Sequence, residues 1–225
     1  MGNMLLKLFL ISAFMGKTAA DFGISAAIAT AAAATGAITS GVSMGQSLAA
    51  ALSYTVMCKI EVENWTKYTL WSPHSHINAG VIEFPPVAVR PGQREMFVTH
   101  KTAYLSTGTY GTASWSISGN NKRAVVMWSC PFNFNHYSNW LAVGITTSDA
   151  GHYDWFNQMY YESSGRGLNF VRGEYYYHTK TISTNDGQFE ITGTMGTSHH
   201  ATARVIVRPL NESDLAPSIK EKIRK

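Results

Sequence analysis

From Val56 to Pro209 the chain is cut into short apolar or alternating segments by clusters of turn-forming residues. This rhythm constrains the fold more than any other feature. The segments are VMCKIEVEN, EMFVTH, TASWSIS, AVVMWSC, NWLAVGITT, EYYYHTKTIS, FEITGTM and ATARVIVRP, separated by clusters such as RPGQ, STGTYG, SGNNK and STNDGQ. Val, Ile, Thr, Tyr, Phe and Trp suit a pleated, half-buried surface, and Gly, Asn, Asp and Pro end strands. Many short strands at this spacing predict an all-β sandwich. One stretch breaks the rhythm. SDAGHYDWFNQMYYESSG offers Ser148 or Asp149 as a cap and Gly165 beyond the end, so residues 150–162 read as a short inserted helix. A chain of 225 residues can bury a core without a metal or disulfide staple.

The segment before the strands has a different character. Residues 1–20 hold Lys7, then an apolar run, LFLISAFMG, then small residues at Thr18 and Ala20. This is the pattern of a secretory signal peptide cleaved before Asp21, and the run is too short to span a bilayer. Residues 22–58 carry no charge. From Ile38 the apolar residues fall at helical spacing: Ile38, Val42, Leu48 and Leu52 share a face with Gly45, and Gly41 with Gly45 makes a GxxxG. An ordinary packed helix, a low-complexity linker, and a helix stored on the protein for later entry into lipid all fit this composition. The expected organisation is a signal peptide over 1–20, an Ala-rich helical region over 21–53, a β-sandwich body over 54–208 and a charged tail over 209–225. LNESDLAPSIKEKIRK predicts a frayed or short helical end. The fold class expected is mainly β: a single β-sandwich flanked by an N-terminal amphipathic helix and one short inserted helix.

Net charge is +4, but the excess lies at the ends. Between Asp21 and Ile219 there are 12 Lys+Arg against 13 Asp+Glu. A nucleic-acid partner is therefore not expected, because phosphate tracking needs a concentrated cationic face. No GxSxG or HExxH occurs and no carboxylate pair stands out, so no enzyme activity and no cofactor are expected. His74-x-His76 would put two rings on one strand face, but no third ligand is evident, so no metal site is expected. Cys58 and Cys130 either pair in an oxidising compartment or stay separate as buried thiols. Asn64-Trp65-Thr66 and Asn211-Glu212-Ser213 are glycosylation sequons if the chain is exported.

The centre of the chain is uncharged and aromatic. Residues 124–148 contain no Lys, Arg, Asp or Glu, and the 34 residues from Trp128 to Tyr161 hold 10 of the 27 aromatics. The loop CPFNFNHYSNW is full of turn formers and cannot hide all its rings. Exposed Tyr and Trp suit a bilayer interface, a cage for a quaternary ammonium, or a carbohydrate platform.

VMWSCPFNFNHYSNWLAVGI followed by FNQMYYESSGRG resembles the actinoporins, the pore-forming cytolysins of sea anemones, and their echotoxin-like relatives in marine snails. The most specific part runs from Pro131 to Trp140 and is followed by Tyr160-Tyr161. The resemblance implies a secreted toxin that binds phosphocholine-headgroup lipid, sphingomyelin above all, then forms a homo-oligomer and inserts its N-terminal helix into the target cell membrane. It implies a headgroup site of Ser129, Pro131, Tyr137, Phe156, Tyr160 and Tyr161. It also implies a membrane-facing loop with Phe134, His136 and Trp140, and a pore helix carrying Ile38, Gly41, Val42, Gly45, Leu48 and Leu52. Phe156 replaces a family Tyr, His136 stands where an exposed Trp is usual, and Arg166-Gly167-Leu168 stands for the family's RGD-type tripeptide. The N-terminal segment lacks the family's acidic and basic residues. The alternative is a secreted lectin-like or lipid-binding module that forms no pore.

Overall fold

Alternation along the last strand shows how the chain sorts itself. From His200 to Pro209 every second residue is buried, so Ala201, Ala203, Val205 and Val207 face inward. The computed structural model describes residues 39–40, 53–147, 155–163 and 165–224. Among these, twelve strands form two sheets. The first sheet contains β1 (Thr39–Ser40), β2 (Met57–Asn64), β4 (Val81–Phe84), β5 (Gln93–His100), β10 (Thr181–Asn185), β11 (Phe189–Met195) and β12 (His200–Pro209). Its order is β1-β5-β2-β12-β11-β10, with β4 also on β5. The second contains β3 (Leu70–Ala79), β6 (Thr109–Ile117), β7 (Lys122–Cys130), β8 (Asn139–Thr146) and β9 (Asn169–Tyr175), in the order β3-β6-β7-β8-β9.

The inward faces meet in one core. Cys58, Ile60, Val62 and Phe97 come from the first sheet, and Trp115, Val126, Trp128, Leu141 and Val143 from the second. Outward faces are covered locally. Helix α1 (Trp155–Tyr161) lays Trp155, Phe156 and Met159 on Val125, Met127 and Ala142 of the second sheet. Helix α2 (Pro217–Ile223) puts Ile219 with Leu215 and Ala216 around Trp65, so the tail is docked rather than frayed.

Two strands escape the sequence pattern. β3 carries Pro73 and the His-Ser-His run, and its pairing with β6 shifts register twice. It lies at the edge of its sheet, where a proline and irregular pairing are tolerated. β4 is only four residues long. EYYYHTKTIS, expected as one strand, is two. β9 ends at Tyr175 in the second sheet and β10 begins at Thr181 in the first, so residues 176–180 cross between the sheets. The crossing is tight: a Cβ on Gly173 would lie 2.9 Å from Lys180 Cε.

The expected signal peptide and the pore-helix residues Ile38, Gly41, Val42, Gly45, Leu48 and Leu52 lie outside the described residues. Thr39 and Ser40, inside the segment read as helical, pair in parallel with Gln93 and Arg94. They satisfy the backbone edge that β5 would otherwise expose. The inserted helix is described over 155–161, within the expected 150–162. Among the described residues no helix is long and apolar enough to cross a membrane.

Asn64 is fully buried. Its Nδ2 donates to the carbonyls of Tyr68 (2.6 Å) and Val89 (2.9 Å), and its Oδ1 accepts from Thr66 N–H (3.0 Å). A glycan on that nitrogen is incompatible with this packing. Asn211 of the second sequon is exposed, its Oδ1 accepting from Ser213 N–H.

Candidate functional site

Strand polarity gathers several loops at one end of the sandwich. The start of β2 lies beside the end of β5 and the start of β12, since Met57 is opposite both His100 and His200. On the other sheet Cys130 ends β7 opposite Thr109, and Asn139 opens β8 opposite Tyr175. The connections 101–108, 131–138, 176–180 and 196–199 therefore all emerge at this end.

A cavity of about 340 Å³ opens here, within the range of small-ligand sites. All six residues of the expected headgroup site line it: Ser129, Pro131, Tyr137, Phe156, Tyr160 and Tyr161. Ser106, Thr107, Tyr110, Phe132 and Asn133 complete the wall, and none of the lining residues is charged. β7 delivers Ser129 beside Tyr110 of β6. Helix α1 delivers the rings. Phe156 is buried and stacks on Tyr160 with centroids 5.3 Å apart, and it meets Tyr110 at 5.1 Å. Tyr161 packs edge-on against Tyr160 at 4.8 Å and is 70% exposed. Tyr137, also on the cavity wall, is 60% exposed.

Tyr160 holds the floor to the rim. Burial first, then the neighbouring Tyr161 and Tyr137, push its phenol above the ordinary tyrosine value, against a hydrogen bond with Ser129 that works the other way. The phenol is therefore a neutral donor at physiological pH. Uncharged rings around an open cavity can hold a quaternary ammonium by its attraction to their faces. The hydroxyls of Ser106, Thr107 and Ser129 can donate to an attached anion.

The three membrane-loop residues are placed differently from one another. His136 is exposed. Phe134 is half-buried and stacks on His199 at 4.1 Å. Trp140 is not in the loop: it is the second residue of β8, half-buried, edge-on to Tyr160 at 5.9 Å and beneath the Arg172 guanidinium at 5.7 Å. Phe134 and His136 also line a neighbouring concavity with Glu174, Tyr176, Tyr177 and Lys180.

The sequence reading passed over other rings at this end. Tyr104 and Leu105 are exposed, Tyr104 with a left-handed φ of 63°, and Tyr177 is 88% exposed. With Phe132, Tyr137, Tyr161 and Tyr176 they make seven of the ten exposed large apolar or aromatic residues described. The usable signal was an aromatic or Leu inside a turn-forming stretch, as in KTAYLSTG, or three consecutive tyrosines, which no two-residue alternation can bury.

His74 is exposed and His76 half-buried on β3. Among the described residues no group of three or more His, Cys, Asp or Glu is placed to hold a metal ion.

Comparison with known proteins places the chain among named relatives. Tereporin-Ts1 of Terebra subulata is 45% identical over 159 residues, 68% of this chain and 77% of the relative. Tereporin-Ca1 of Terebra anilis is 41% identical over 172 residues, 73% of this chain and 90% of the relative. Echotoxin-2 of Monoplex parthenopeus is 41% identical over 180 residues, 78% of this chain and 65% of the relative. Among solved structures, the lipid-binding protein Nakanori shares the fold with a TM-score of 0.54 at 15% identity, over 71% of this chain and 74% of that one. The sea anemone cytotoxic protein family matches residues 56–208, and with these relatives the chain belongs to that family as an actinoporin-like cytolysin.

Proposed function

We propose that this chain is a secreted pore-forming toxin that docks on phosphocholine-headgroup lipid, sphingomyelin in particular, through the aromatic end of the sandwich. The observation that carries the reading is the convergence of Ser129, Pro131, Tyr137, Phe156, Tyr160 and Tyr161 on one uncharged cavity, ringed by exposed aromatics. Trimethylammonium sits among the rings and the phosphate takes hydroxyl donors. The surrounding tyrosines, with apolar bodies and polar tips, lie in the bilayer interface. Docking then brings the N-terminal region to the lipid. The chain enters β2 at this same end, where the Tyr54 ring stacks on His100 at 3.6 Å and His200 Nε2 lies 2.6 Å from the Tyr54 carbonyl. Residues 21–53 detach, insert and assemble with copies of themselves, with Gly41 and Gly45 permitting close helix packing.

Dye release and sedimentation binding on the same sphingomyelin-containing vesicles test this. The expected result is both binding and release. An engineered disulfide between residues 21–53 and the sandwich is expected to preserve binding and abolish release until reduced. Binding without release in the parent protein would favour a lipid-binding module that forms no pore. Release by the locked protein would place the pore element elsewhere.

A further inference from the structure

We propose that Cys58 and Cys130 are joined by a disulfide that staples the two sheets together at the aromatic end of the sandwich. Cys58 is the second residue of β2 in the first sheet and Cys130 the last of β7 in the second. Both are fully buried in the inter-sheet core, and the structure holds them as two free thiols, the reduced state from which the bond forms. Facing sheets ordinarily lie about 10 Å apart, farther than the 4.4–6.8 Å between Cα atoms that a disulfide spans, so a bridge needs a place where they are pinched. The register marks that place. Cys58 is opposite Thr99 and Cys130 is opposite Thr109, and the Thr109 hydroxyl donates to the Thr99 hydroxyl across the gap at 2.9 Å. A Cβ–O···O–Cβ link has the same atom count as Cβ–S–S–Cβ, so the threonines show the sheets close enough beside the cysteines. The thiols themselves are neighbours: burial first, and then contact with Cys58, hold the Cys130 thiol well above its ordinary value.

That burial dictates when the bond forms. A thiolate is the nucleophile, and the Cys130 thiol does not readily ionise once enclosed. The bond forms during folding, by exchange with a disulfide oxidant of the export compartment, either glutathione disulfide or a protein disulfide. One cysteine thiolate attacks the oxidant and gives a mixed disulfide; the second displaces it. The two cysteines together lose two protons and two electrons, and the oxidant leaves as two thiols.

The bridge has a functional position. Cys130 lies between Ser129 and Pro131 of the cavity wall, and Cys58 lies four residues after Tyr54. It fixes the cavity to the strand from which residues 21–53 depart, so their withdrawal does not loosen the wall. The oxidising setting rests on the proposed export.

The test is to refold the full chain in a glutathione redox buffer and alkylate it in denaturant. The expected product has no alkylatable thiol, a mass lower by two hydrogens than the reduced chain, and a Cys58–Cys130 linked peptide. Refolding with reductant is expected to lower the thermal midpoint by several degrees. Cys58→Ala and Cys130→Ala should each show that lower midpoint, with no further effect of reductant. Two freely alkylated thiols after oxidative refolding overturn the pairing. A secretory-host preparation separates the two readings: a bridge that forms on refolding but is missing from exported protein supports the pairing and locates the failure in the export.

Discussion

At the scale of single residues, exposure decides which ring can be tested cleanly. Tyr160 is wedged among Phe156, Trp140 and Tyr161, so its removal disturbs packing as well as the cavity. Tyr137 is 60% exposed and lines the same cavity. An exposed cation–π contact contributes about 0.5–1 kcal/mol. Tyr137→Ala is therefore expected to weaken binding to phosphocholine vesicles by about 2- to 5-fold while leaving the thermal midpoint unchanged. An unchanged vesicle affinity would remove Tyr137 from the site.

Asp186 gives a residue-scale prediction for stability. Burial alone would raise its carboxyl pKa. The Phe189 N–H (2.8 Å), the Lys122 ammonium (2.9 Å) and the Gln188 N–H (3.0 Å) outweigh that and hold it below the ordinary value. Since the folded-state value is depressed, the stabilisation is complete above the unfolded value near 3.8 and drains away as pH falls through the folded value. Lys122 opens β7 of the second sheet and Asp186 joins β10 to β11 of the first, so this pair ties the sheets at the end opposite the cavity. Asp186→Asn is expected to lower the unfolding midpoint at pH 7. It should also flatten the pH dependence below about 4, measured by denaturant unfolding across a pH series.

At the scale of elements, the cavity depends on an inserted helix and the aromatic rim on loops. Helix α1 is seven residues long, too short to be stable alone, and it persists because Trp155, Phe156 and Met159 are buried on β7 and β8. Its last turn carries Tyr160 and Tyr161 to the cavity. The 101–108 loop makes a separate contribution. Tyr104 and Leu105 are exposed and support no core. The double substitution Tyr104→Ser and Leu105→Ser is expected to weaken vesicle binding several-fold without changing the unfolding midpoint, because interfacial anchoring is lost and packing is not. Equal binding by the variant would confine the membrane contact to the 131–138 and 176–180 loops.

At the scale of the whole molecule, charge is almost balanced over the body while apolar and aromatic exposure is concentrated at one end. Docking on neutral lipid should therefore rest on rings rather than on long-range attraction. Vesicle affinity on phosphocholine lipid is expected to change by less than about twofold between low and physiological salt, since only exposed charge pairs are screened over that range. A steep loss with added salt would shift the docking role to the basic residues of the tail.

The sequence determined the sandwich because burial on one face imposes a two-residue period, and turn formers mark where each strand ends. It also determined the aromatic centre, since 131–140 has too many rings and turn formers to be enclosed. The motif resemblance nominated six residues that lie up to 32 positions apart, from Ser129 to Tyr161. Only the tertiary structure decided that they share one cavity, because their meeting depends on α1 lying across β7 and β8 with its last turn toward the loop end. The segment NWLAVGITT already put Trp140 at the start of a strand, but only the tertiary structure decided that it lies beneath Arg172, because that contact comes from the pairing of β8 with β9. Tertiary structure split EYYYHTKTIS between sheets, because an edge must cross to close the sandwich. It buried Asn64 of a sequon that reads as a surface signal, because a bend out of β2 needs its side chain to bind the carbonyls of Tyr68 and Val89. Local patterns encode which face of an element is buried; which elements meet is set by the packing of those faces against each other.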